Sequence, residues 1–128
     1  MLPSPSRLRR TADIGRVRQQ GRRWQHPLVV LFVDTQPQDC SSDSRFAFAV
    51  GRHIGKATQR NRVKRRLREI VRRKLDRVVP GHDCLFVART GAVTATHAEL
   101  ELAVMQLMYR GGILLDARTH NGEAGEPA

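Results

Sequence analysis

The stretch from Arg52 to Arg77, RHIGKATQRNRVKRRLREIVRRKLDR, gathers 12 of the chain's 23 Lys and Arg into 26 residues, against only Glu69 and Asp76. Its apolar residues Val63, Leu67, Ile70, Val71, Leu75 and Val78 are spaced by four, three, one, four and three, which puts them on one stripe of a helix. Such a helix has an inside. Burying the stripe against a sheet sends Lys64, Arg65, Arg66, Arg68, Arg72 and Arg73 beside it or opposite it, outward together. A merely solvated face interleaves Glu with Lys at four-residue spacing, whereas this helix leaves about ten positive charges uncompensated, which suits a polyanion.

The flanking segments supply the sheet. Arg45 to Gly51, RFAFAVG, alternates Phe46, Phe48 and Val50 on one face with Ala47 and Ala49 on the other. The two alanines leave room either for close helix packing or for a ligand lying on the sheet. Gly51 and Gly55 bracket Arg52, His53 and Ile54 in a turn whose backbone can approach a ligand. Asp83 to Arg89, DCLFVAR, reads as a second buried strand beyond the breaker Pro80-Gly81. A strand, helix, strand order of this kind implies parallel strands joined by a crossover. Leu28 to Asp34 is a further buried strand, and Trp24-Gln25 a brief edge strand interrupted by Pro27. Residues 35–44 read as a polar surface loop.

Two more helices complete the pattern. The first is capped by Thr11 or Asp13 and runs to about Gln20, with Leu8, Ile14 and Val17 inward, Arg16, Arg18, Arg22 and Arg23 on the wet side, and Gly21 as its stop. The last opens with a Thr96 to Glu99 capping box, buries Leu100, Ala103, Val104, Leu107 and Met108, and stops at Gly111-Gly112. The expected organisation is a flexible arm over 1–6, one α/β domain over 7–115 and a disordered tail over 116–128.

The net charge of +11 is unevenly spread: residues 1–77 carry 20 basic and six acidic groups, and residues 78–128 carry three and six. A membrane partner is disfavoured, because the longest apolar run, Leu28 to Val33, falls far short of the ~20 residues that span a bilayer. The N-terminus lacks the apolar core of a secretory signal. Cys40 and Cys84 have no CxxC or Cys/His partner at zinc-ligand spacing, and a cytosolic chain keeps both reduced. No paired-carboxylate, P-loop, HExxH or GxSxG pattern offers a catalytic residue, and the five histidines are scattered. Arginine outnumbers lysine 20 to 3, which favours bidentate phosphate contacts, while the few aromatics argue against a stacking platform.

The run Arg60-Asn61-Arg62-Val63-Lys64-Arg65, preceded by RFAFAVGRHIGK, resembles the signature of the protein subunit of bacterial ribonuclease P. Arg7-Leu8-Arg9-Arg10 with Asp13-Ile14 matches that family's opening segment, and Asp83 to Arg89 its later strand. The resemblance implies an α/β (α+β) two-layer sandwich, ribosomal protein S5 domain 2-like. It has about four mixed strands, three helices and a left-handed crossover through the basic helix, against the usual right-handed rule. It implies that catalysis resides in ribonuclease P RNA with Mg²⁺ held mainly by that RNA, so that this chain supplies no catalytic residue and no metal ligand. By match, Arg52, His53, Lys56, Arg60, Asn61, Arg62, Lys64, Arg65, Arg66 and Arg68 face the RNA subunit. Arg9, Arg10, Ile14, Arg18, Phe32, Phe48 and Arg52 line a cleft for the 5′ leader of precursor tRNA. Family members often carry two phenylalanines where Ile14 and Arg18 stand, and a tyrosine where Phe32 stands, so the leader grip here is expected to be more electrostatic. The implied location is the cytoplasm, with no obligate protein partner. The alternatives are a ribosomal-protein-like structural RNA binder and a self-sufficient nuclease.

Overall fold

The computed structural model describes residues 7–36 and 43–114. The arm expected over 1–6, the tail expected over 116–128, Cys40 and most of the loop expected over 35–44 lie outside the described residues. One mixed sheet holds β1 Arg22–Gln25, β2 Val29–Thr35, β3 Arg45–Ala49 and β4 His82–Ala88, in the spatial order β1-β2-β4-β3. β1 with β2 and β2 with β4 are antiparallel, and β3 with β4 is parallel. The helices are α1 Thr11–Gln20, α2 Ala57–Arg72, the single turn α3 Gly91–Thr94, and α4 His97–Arg110. A parallel pair cannot be closed by a hairpin, so the expected crossover is present, with α2 linking β3 to β4.

α2 and α4 share one face of the sheet. Val63, Leu67, Ile70 and Val71 of α2 and Leu100, Val104, Leu107 and Met108 of α4 pack on Leu31, Phe46, Cys84 and Phe86. Full burial of each α2 stripe residue stabilises by about 1.5–3 kcal/mol, far more than any surface ion pair on the same helix. Leu75 and Val78 are partly buried against the same core, but α2 itself ends at Arg72 and a 3₁₀ turn, Leu75–Arg77, carries the chain on.

α1 lies over the other face. Val17 and Leu8 bury Ala47 and Leu85 there, while Ile14, Phe32, Ala49 and Val87 remain half-buried. The two alanines divide: Ala47 is covered by helix packing, and Ala49 lies on floor that α1 leaves partly open. The expected cap does not form. Thr11 is the first helical residue, Arg10 occupies the cap position without a side-chain bond, and Asp13 is drawn to Arg16 instead.

Arg16 is also not on the wet side. It reaches across the sheet to Asp34 at 3.0 Å and, more closely, to Asp83. Asp83 has a fully buried side chain that also takes two bonds from Arg45, at 2.8 and 2.7 Å, and one from the Gln36 amide at 3.2 Å. The strand register explains the convergence, because Asp34, Asp83 and Arg45 form one cross-sheet row on the α1 face. A carboxylate without partners could not sit there ionised.

Burial alone raises the Asp83 pKa, but the hydrogen bonds from Arg45 and Arg16 outweigh it and hold the group below its ordinary value. A folded-state pKa below the unfolded one gives stability that is complete above the unfolded value of ~3.9 and is lost as pH falls through the folded value. Asp83→Ala removes the buried carboxylate that Arg16 and Arg45 share, leaving Arg16 only Asp13 and Asp34, and is expected to cost about 3–5 kcal/mol, read as a lower urea midpoint. Asp83→Asn is expected to flatten the acid limb of the stability profile below about pH 4 relative to the native chain.

Candidate nucleic-acid interface

The turn into α2 is built on two glycines with different duties. Gly55 has φ 149, closed to ordinary side chains, and a Cβ there would strike the Gln59 side chain. The Gln59 Oε1 accepts from the Lys56 backbone N–H at 3.0 Å and so caps the helix from inside. Gly51 has an ordinary φ of −72, and its lack of a side chain gives the His53 ring its place. Arg52, His53 and Lys56 are exposed around this turn, and Ile54 is buried beneath it.

On α2 the cations divide by flank. Arg66 points toward α3 and donates to the Ala95 carbonyl at 2.8 Å, and burial followed by the nearby Arg62 charge lowers its pKa. Arg72 and Arg73 both hold Glu69, whose carboxyl is kept down at about 2, first by the Arg72 bond and then, against some desolvation, by Arg73. Lys74 is buried and bridges to Glu101 of α4 at 3.0 Å. The expectation of a helix without bridges is thus corrected for its last turn, where one glutamate serves two arginines.

The opposite flank stays cationic. Asn61, Lys64, Arg65 and Arg68, with Thr58, line a shallow depression of about 470 Å³. Among the described residues Arg62, Lys64, Arg65 and Arg68 have no carboxylate partner. Arg60 sits nearer the turn and spends its Nε on the Gly55 carbonyl at 3.2 Å.

Arg68 lines a second depression as well. This groove, about 450 Å³, follows the outer edge of β3 and is bounded by Arg7, Leu8, Arg9, Ile14, Phe46, Ala47 and Phe48. It exists because the segment before α1 runs beside β3, with Arg7 bridged to Phe46 and the Leu8 N–H donating to the Phe46 carbonyl at 2.8 Å. Arg7 is absent from the residues expected at the site. The signal for it is the alternation in Arg7-Leu8-Arg9, which marks an extended segment with one buried and two outward side chains.

The aromatic residues expected in one cleft are placed on two faces. Phe32 lies on the α1 face with the Arg18 guanidinium 6.0 Å from its ring centroid. Phe48 lies on the other face, stacked on Phe86 at 5.8 Å and 8°, because it shares the parity of Phe46 on β3. Only its half-buried edge reaches the β3 groove. Ile14 belongs to both places: it borders the groove and packs on the half-open floor of Phe32, Ala49 and Val87. Arg9, Arg10 and Arg18 are exposed at the ends of this strip.

A sheet that sets one cationic helix flank beside a groove of arginines and largely buried apolar side chains, the two sharing Arg68, defines an α+β domain with a surface suited to a polyanion. No helix is long and apolar enough to cross a membrane, and no three metal-ligating side chains gather among the described residues. The sequence profile of the family Ribonuclease P matches residues 2–111, and the chain belongs to that family. It is 37% identical over 110 residues to the ribonuclease P protein component of Herpetosiphon aurantiacus, covering 86% of this chain and 87% of that one. The corresponding protein of Chloroflexus aurantiacus is 39% identical over 115 residues, covering 89% and 82%. Among solved structures, the Thermotoga maritima ribonuclease P protein superposes with a TM-score of 0.72 at 27% identity, over 81% of this chain and 96% of that one. The Staphylococcus aureus ribonuclease P protein shares the fold with a TM-score of 0.77 at 19% identity, over 85% and 97%.

The division of the α2 cations is testable. Arg65→Ala should weaken binding of a structured RNA and lower the magnitude of the log–log salt slope by about one. Arg72→Ala, which removes a guanidinium held by Glu69 in the last turn of the helix, should change both less than Arg65→Ala does in the same filter-binding titrations.

Proposed function

We propose that the chain works in the cytoplasm as the protein subunit of ribonuclease P, gripping the catalytic RNA with α2 and the 5′ leader of precursor tRNA with the α1 side of the sheet. Membership of the ribonuclease P family supports the reading, and the observation that carries it is Arg68, shared by the α2 depression and the β3 groove. One unbroken cationic path leads from a surface fitted to a folded RNA to a groove fitted to a single strand.

In this reading Arg52, His53, Lys56, Arg60, Asn61, Arg62, Lys64, Arg65 and Arg68 meet the RNA subunit as bidentate and point-charge contacts to phosphate. Arg66 contributes less, because one of its amino groups is committed to Ala95. The leader passes Arg9, Arg10, Ile14 and Arg18, with Phe32 offering a ring face once Arg18 swings from it to a phosphate. Phe48 supports the groove from behind. Arg52, at the far end of β3, continues the path.

Bond breaking is assigned to the RNA with Mg²⁺. Among the described residues, the carboxylates of Asp13, Asp34 and Asp83 gather around Arg16 and Arg45, and these guanidinium groups occupy oxygens that a divalent ion would need. The protein's part is to neutralise phosphate repulsion so that RNA, leader and metal can come together, which matters most when Mg²⁺ is scarce.

Adding the purified chain to a bacterial ribonuclease P RNA at low Mg²⁺ should restore removal of the leader from precursor tRNA. An absence of stimulation, or cleavage by the RNA-free chain, would sink the proposal. If Arg9, Arg10, Arg18, Arg52 and Arg68 each neutralise one leader phosphate, leader affinity should fall with a log–log salt slope of about −3.5, and a flat titration would refute the electrostatic grip.

A further inference from the structure

Among the described residues only three large apolar side chains are exposed, Leu102, Met105 and Tyr109, and all three lie on α4. Their exposures are 51%, 36% and 44%. At 100° per residue they form one narrow stripe opposite the buried face of Leu100, Ala103, Val104, Leu107 and Met108. Three such residues scattered singly would need no explanation, but three aligned on one helix do.

We propose that this stripe is a self-association surface, through which two copies of the chain pair by antiparallel α4 helices. A polyanion does not fit here. Arg110 is the one cation beside the stripe, Glu99 and Glu101 flank it, and the 78–128 segment is the part of the chain in which acids outnumber bases.

A second copy fits for two reasons. A two-fold axis perpendicular to α4 and centred near Met105 brings the same flank of both helices together with opposite polarity. Glu99 and Arg110 lie on the same flank, on the side away from Lys74 and Glu101, so each Glu99 meets the partner copy's Arg110. Arg110 has only a long 3.4 Å bond to the Gln25 carbonyl to give up, and Glu99 caps Thr96 with one oxygen, which leaves the other for the pair.

The second reason is shape. Beside Leu102 a groove of about 420 Å³ is lined by His26, Leu28, Gly91, Thr94, Ala95 and Glu99. The same axis places the partner copy's Tyr109 at its mouth, a protruding ring against an open groove, twice over by symmetry. The cationic flank of α2 is not consumed, because Arg66 and Lys74 mark the side of α2 that faces α3 and α4, and Lys64 and Arg68 lie on the other. Three side chains with two flanking ion pairs make a small contact beside standard interfaces of ~1,200–2,000 Å², so the pair is weak and depends on concentration.

Sedimentation equilibrium of the full RNA-free chain, from low to high micromolar, should show the average mass rising from 14.5 kDa toward twice that value. Leu102→Glu and Tyr109→Ala, both at exposed positions, should each raise the dissociation constant at least about tenfold while the circular dichroism spectrum and the stimulation of cleavage stay unchanged. In a Cys40→Ser background, Met105→Cys should oxidise to a covalent dimer much faster than Thr58→Cys. A mass fixed at the monomer, a dimer indifferent to both stripe variants, or equal cross-linking at positions 105 and 58 would each overturn the proposal. So would a loss of RNA affinity on Leu102→Glu, which would make RNA the occupant of the stripe.

Discussion

Once α2 has buried Val63, Leu67, Ile70 and Val71, it has no rotational freedom left, and every other side chain on it is assigned a direction. Turning the helix by one residue would move the stripe by 100° and place a guanidinium against Phe46 and Phe86, at a cost of several kcal/mol that no surface pairing could return. The apolar core thus sets the direction of the charges. That constraint converts a long-range property, a surplus of arginine, into a local one, a flank facing the β3 edge.

Arginine in this chain does two unlike jobs, and the acids decide which. Where a carboxylate is within reach the guanidinium becomes structural, as with Arg16 and Arg45 on Asp83, or Arg72 and Arg73 on Glu69. Where none is, as at Arg62, Arg65 and Arg68, the charge stays available to a ligand. The Asp83 cluster matters beyond its own energy. By tying α1 to the end of the sheet where Asp34, Asp83 and Arg45 align, it leaves the floor of Ala49 and Val87 partly uncovered at the other end. A differently placed anchor would have closed that floor.

Much of this was legible in residue spacing. The α2 stripe, the Thr96 capping box, the buried runs of β2 and β4 and the parallel crossover follow from periodicity and breakers, which are local properties. What spacing does not reveal is which strands are neighbours. Arg16 looks like a wet-side residue of a short helix until β4 is inserted between β2 and β3, bringing Asp83 beneath it. Phe48 is set apart from Phe32 for the same reason, since its parity puts it with Phe86 on the helix-covered face while its edge still borders the β3 groove. Glu69 and its two arginines are a different case, because they lie within about one helical turn and their pairing is a matter of spacing alone.

Both edges of the sheet are held away from unwanted strand pairing by the same residue type that serves the ligand. On the β3 side the Arg7-Leu8 segment takes up part of the edge, and on the β1 side Arg22 and Arg23 are exposed on the strand itself. A second sheet approaching either edge would bring its own copies of these cations against them, and like charges opposed across a ladder destabilise it. The edges are therefore poor places for two copies to meet. The outward face of α4, where the one flanking arginine has a glutamate for company, carries no such penalty. A chain this cationic can associate with itself only where its charge is locally balanced, and α4 is where the fold leaves that condition met.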